Sequence, residues 1–146
     1  MTGLLGKAPL TSDVALFIEI AVIVTLFVAR FGLARKRRIR AHGVTAMIAT
    51  ALHTVTVLLV MIPSLLRSQN LLFNNFSSPA IILTWIHAPL GLLALIIGLY
   101  LVAEWRFRPP GATCYKRARL MRPLWLLWVL SVVLGLLIYL AIAIYS

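Results

Sequence analysis

Three histidines and one glutamate stand out in this chain because their side chains ionise inside runs of hydrocarbon. His42 and His53 belong to the stretch RAHGVTAMIATALHTVTVLLVMIPSLL, residues 40–66, which is long and apolar enough to cross a bilayer. An ionisable group at membrane depth is costly, so such residues usually face a bundle interior or a polar cavity. Their separation of eleven residues is close to three helical turns and puts both imidazoles on one face, ~16 Å apart. His87 lies in the following apolar run. Depth counting at 1.5 Å per residue places His53 near the midplane and His87 ~6 Å toward the outer side. Two imidazoles on neighbouring antiparallel helices at similar depth are what a low-spin b-type haem requires, one axial nitrogen from each side.

The residues around them fit that chemistry. The face of His87 carries Ala80, Thr84, Gly91, Ala94 and Gly98, and the face of His53 carries Thr45, Ala46, Ala49 and Thr56. Small side chains leave a groove for a flat ring, so Ala49, Gly91 and Ala94 are expected to line it beside the ligands His53 and His87. The plainer alternative is that such residues only let membrane helices pack closely, with His53 bonded to a threonine or a carbonyl. His42, next to an arginine cluster, reads as interfacial and as a candidate ligand at a second site. Glu19 is the one acidic residue deep in a span, ~9 Å from its outer end. It could orient an imidazole, take part in proton transfer, pair with Arg67, or be tolerated as a protonated acid. A copper site would need His53, His87 and a third group such as Met47 or Met61, and ranks below haem. No HExxH, glycine-rich phosphate loop or nucleophile–base spacing occurs, so no catalytic residue is assigned and any activity is expected to be electron transfer alone.

The elements that must position these residues follow from composition. Hydrophobic residues make up 62% of the 146 residues and charged residues 12%, with a mean hydropathy of +1.03. Soluble domains carry about a quarter charged residues, so the chain is an integral membrane protein. A single domain, residues 1–146, is expected, all-α, with four helices at about 14–33, 41–66, 79–103 and 123–145. Pro79 and Pro123 open the last two. Pro63 and Pro89 are possible bends. Thr11, Ser12 and Asp13 are candidate caps for the first.

The net charge of +11 does not indicate nucleic acid, because of where it lies. Apart from Lys7 and Arg67, the 14 basic residues sit in two loops, 34–41 with Arg30 beside it, and 104–122. Alternate-loop segregation is the positive-inside pattern. It predicts a multi-pass protein of the cytoplasmic (inner) membrane with both basic loops inside and both termini on the non-cytoplasmic side. Trp105, Phe107, Trp125 and Trp128 are expected at the cytoplasmic interface, Tyr139 and Tyr145 at the outer one. Asp13 and Glu104 read as solvated charges. No N-terminal stretch has the form of a removable signal peptide. The single Cys114 excludes an intrachain disulfide and a multi-cysteine metal site. Asn75-Phe76-Ser77 matches a glycosylation sequon by form only.

The segment MRPLWLLWVLSVVLGLLIYL, with Pro123, Trp125, Leu126, Gly135 and Tyr139, resembles the closing segment of the small CtaM/YozB-type membrane proteins. His42 after a basic run and Ile82-Leu83 ahead of His87 fit the same family, over roughly residues 35–145. The resemblance implies a four-helix membrane protein linked to the assembly or maturation of haem–copper oxidases, with haem or copper handling by its histidines. Where the family tends to have further histidines, this chain holds Met61-Ile62-Pro63 and Cys114-Tyr115, while His53 is additional. An imidazole relocated to the midplane fits a stable haem b site. The expected function is therefore a b-type haem-binding protein of a respiratory membrane, serving electron transfer or oxidase assembly alongside other subunits of such a complex. A cofactor-free accessory subunit is the alternative, and copper or quinone handling a weaker one.

Overall fold

The structure, a computed structural model, describes residues 9–74, 76–107 and 116–145, the side chains of 143–145 excepted. Lys7, Asn75, Arg108, Pro109, Pro110, Gly111, Cys114, Tyr115 and the Tyr145 side chain lie outside the described residues. Helix α1 spans Leu10–Ala34 and α2 spans Ile39–Arg67. The short α3, Gln69–Asn74, precedes α4, Pro79–Phe107, and α5, Ala118–Tyr145. All four long helices are long and apolar enough to cross a membrane. In hydrocarbon every backbone amide must be satisfied within its own segment, which is why continuous apolar runs fold as long helices.

The four pack as a closed ring: α1 against α2 and α5, α4 against α2 and α5. Large side chains such as Phe17, Leu59, Leu92 and Leu126 point outward and are exposed. A contiguous apolar surface of this kind belongs in lipid. The chain is a multi-pass membrane protein. Inside, Val22, Leu26, Ala49, Ala94, Leu101, Leu124 and Trp128 form the core. Ala49 and Ala94 are fully buried, and there the small side chains let the helices approach.

Several local features differ from the sequence reading. Helix α5 begins at Ala118, so Pro123 sits inside its first turns rather than opening it. Pro63, expected as a possible bend, lies within α2 just after a widened turn. The backbone passes through a π-helical stretch, Val57–Met61, in which the Ile62 N–H reaches the Val57 carbonyl, five residues back. Proline removes the donor that Leu59 would otherwise meet, and the wider turn absorbs the mismatch. Helix α1 also finishes in a π-helical stretch, Val28–Ala34. It closes with Arg37 at φ 56°, the Arg37 N–H on the Ala34 carbonyl at 3.1 Å and the Arg38 N–H on the Leu33 carbonyl at 3.0 Å. That is a Schellman cap with arginine where glycine is usual.

At the other connection Arg117 donates to both Glu104 oxygens, at 2.7 and 2.9 Å, and to the Tyr100 hydroxyl at 2.8 Å. Glu104 is thus paired rather than simply solvated, and its hydrogen bonds raise the Arg117 pKa further above the ordinary range. Gly43 on α2 allows the Trp105 indole to lie directly on the backbone, where a Cβ would overlap the ring. Gly43→Ala is expected to cost about 1–3 kcal/mol by overpacking. A lowered thermal midpoint in detergent and a red-shifted tryptophan emission would report it; an unchanged midpoint would show that Trp105 is not held there.

Candidate functional site: a buried imidazole–carboxylate pair

Helix α2 is amphipathic only along a narrow stripe, and that stripe carries Gly43, Ala49, Thr50, His53 and Thr56 into the bundle. Position 53 is about halfway along α2. Helix α1 brings Val22, Leu26 and Glu19 to the same interior. The His53 Nδ1–H donates to Glu19 Oε1 at 2.8 Å and Oε2 at 2.9 Å. His53 is 2% exposed and Glu19 7%. The Trp128 ring meets the imidazole edge-on, with centroids 5.4 Å apart at 69°. The remaining nitrogen, His53 Nε2, is buried and has no hydrogen-bond partner among the described residues.

The protonation chemistry of this pair is constrained by its surroundings. A net charge is expensive in hydrocarbon. Two arrangements carry none, imidazolium with carboxylate and imidazole with carboxylic acid. Fixing Nδ1 with a carboxylate is also how ligating histidines are commonly oriented.

His87 is placed differently. Its Nδ1–H donates to the Ser131 carbonyl at 2.9 Å. Gly135 lies against the ring, where a Cβ would come within 3.4 Å of Cε1. Gly91 faces Ser131 in the same seam, with 3.1 Å left between a Cβ and Oγ. His87 and Gly91 therefore belong to the α4–α5 contact, while His53, Ala49 and Ala94 lie at the centre of the bundle. Both imidazoles spend Nδ1 on the protein, and they rest against neighbouring turns of α5.

Comparison with family models, with curated proteins and with solved structures gives no match. The chain's own geometry carries the reading.

His42 donates through Nδ1 to the Ala29 carbonyl at 3.0 Å, joining α2 to the π-helical end of α1. No group of three metal-ligating side chains occurs among the described residues. Glu19 is taken by His53, and Arg67 is exposed at the last turn of α2. Asp13 departs from the sequence reading. It is 2% exposed, and its Oδ1 accepts from the Tyr139 hydroxyl at 2.5 Å, so Tyr139 too is interior. Trp128 is the residue that sequence reasoning missed. Counted from Pro123 it is interfacial; counted from Ala118 it is ~15 Å deep and reaches His53.

Proposed function

We propose that this chain is a b-type haem-binding protein of a respiratory membrane, serving electron transfer or the assembly of a haem–copper oxidase. The observation that carries the reading is His53 itself: a buried Nε2 with no hydrogen-bond partner among the described residues, on an imidazole whose Nδ1 is held by Glu19. His87 would offer the second ligating nitrogen, its Nδ1 being engaged by the Ser131 carbonyl. The donor chemistry fits a haem iron, and the bound group would supply one-electron transfer. Glu19 would orient His53 and raise its basicity. Ala49 and Ala94, in the packed core with His53, and Gly91, against Ser131 beside His87, would have to part for the ring to enter. Copper on the same imidazoles is the alternative metal. His42 would serve a second site.

The resemblance to the CtaM/YozB-type proteins supports the respiratory setting. Segregation of basic residues into loops 34–41 and 104–122 supports a cytoplasmic membrane with those loops inside and both termini outside.

A second reading, a cofactor-free accessory subunit of a larger membrane complex, is favoured by one specific observation. Trp128 packs on His53, and the cleft bounded by Leu26, Arg30, Thr50, Trp105 and Trp128 in the half of the bundle nearest the basic loops is lined by neither His53 nor His87. A macrocycle would enter between them only with movement of that indole.

A reduced-minus-oxidised visible spectrum of the purified protein separates the two. Sharp α and Soret bands, lost in His53→Ala and His87→Ala while helicity is retained, are the expected result. A featureless spectrum from folded protein after haem supplementation would dismiss the first reading in favour of the second.

A further inference from the structure

All four long helices contribute to the cleft near the basic loops. Thr50, Gly98 and Trp128 at its inner end are buried, while Arg30, His42, Trp105 and Met121 at its other end are half-buried, so it opens toward the loops. The wall between is almost wholly apolar, with Leu26, Ala46, Leu101 and Leu124. Water does not fill an apolar cavity, and a void forfeits the dispersion contacts of its lining. In a bilayer the filler at hand is an acyl chain. A chain inserts only as many methylenes as the space admits, so a volume of about 110 Å³ sets the depth of entry.

The rim supplies a charge. The Arg30 guanidinium carbon lies 4.7 Å from the centre of the Trp125 ring and 5.5 Å from that of Phe31. Stacking on a ring uses the face of a guanidinium and leaves its edge, the N–H fork that matches a phosphate, unspent. Arg30 makes no hydrogen bond or ion pair among the described residues. Carboxylates do not answer it either. Glu104, the one acid at this end, is held by Arg117. Glu19 is eleven residues or ~16 Å away along α1, and Asp13 is farther still. An unanswered cation at the mouth of an apolar cleft calls for an anion joined to a hydrocarbon chain.

Charge narrows the choice. A zwitterionic headgroup would bring its own cation among the arginines of the adjoining loops. The carboxyl of a fatty acid takes up a proton as it leaves water, whereas a phosphodiester stays ionised. We propose that this cleft holds one acyl chain of an anionic phospholipid from the leaflet at the basic end, with its phosphate on the edge of Arg30. Lipid tails are as apolar as the wall, so the chain alone confers little preference and the charged head selects the lipid. Basic pockets between membrane helices take anionic headgroups in this way. The site is separate from His53 and stands whether or not His53 carries iron.

Native mass spectrometry of the full chain, delipidated in a neutral detergent, tests this with phosphatidylglycerol and phosphatidylcholine of identical chains. One phosphatidylglycerol per chain should be retained, about tenfold more tightly than phosphatidylcholine, as for hydrogen bonds to a charged group. Arg30→Gln should abolish that preference. Arg122→Gln, which removes an exposed cation at the same end, should leave it nearly unchanged. Ala46→Phe, which fills the cleft, should weaken phosphatidylglycerol about as much as Arg30→Gln does. Circular dichroism identifies a variant that fails to fold, and the other then decides. Equal retention of the two lipids by the wild type, or equal losses in Arg30→Gln and Arg122→Gln, overturns the proposal in favour of diffuse charge. Full displacement by inorganic phosphate, or wild-type binding by folded Ala46→Phe, overturns it too, because no chain would then occupy the cleft. Palmitate bound as tightly as phosphatidylglycerol would assign the cleft to a fatty acid instead.

Discussion

Replacing Glu19 with alanine is expected to destabilise the bundle by about 3–5 kcal/mol, because it leaves the His53 Nδ1–H buried without an acceptor. His53→Ala should cost a similar amount by stranding the carboxylate. The two changes should not add. Once one partner is gone the other is a liability, so a paired Glu19→Leu and His53→Leu protein should recover most of the loss and can exceed the wild type. Reversible unfolding in mixed micelles, read as a double-mutant cycle, measures the coupling. Strictly additive single effects would show that the 2.8 Å contact contributes nothing. Glu19→Gln is the finer probe. It keeps a group able to accept from Nδ1–H and removes the charge, so stability should fall less than in Glu19→Ala. Iron or haem affinity at His53 should still fall by about 10–100-fold, as for an outer partner of a ligating histidine.

Trp128→Ala has the second large effect. The side chain is 2% exposed and touches both His53 and the Gly98 backbone. Its removal should cost about 3–5 kcal/mol. It should also join the cleft to the space beside His53. Titration with haemin then separates the two functional readings. If His53 is an axial ligand, Trp128→Ala protein should show stronger Soret absorption per folded chain than the wild type, since the obstructing indole is gone. A folded variant with no more absorption than Trp128→Ala combined with His53→Ala would show that His53 does not ligate iron.

The four helices were legible because each is a long apolar run closed by charge or proline, and hydrocarbon permits such a run little else. Their interior faces were harder to read. A membrane helix is apolar on the lipid side as well as inside, so hydropathy does not mark the azimuth as it does in water. Depth counting set Glu19, His53 and His87 at comparable levels, which left Glu19 several partners. The packing of α1 against α2 chose His53. The same ambiguity hid the direction of His87, whose neighbours are Ser131 and Gly135 on α5 rather than the face of α2. Proline misled at Pro123, which the early turns of α5 accommodate without its marking the start of the helix. Asp13 looked solvated because its partner, Tyr139, lies at the far end of the chain.

That last separation bears on how the molecule is made. A ribosome feeds α1 to the membrane with both carboxyls aboard, 34 residues before His53 is synthesised and 126 before Tyr139. Until α2 follows, the Glu19 carboxyl lacks the imidazole that meets it in the fold, so the first segment should linger at the translocon or slip back toward the aqueous face. Release into the bilayer would await the hairpin with α2, and final closure the emergence of α5.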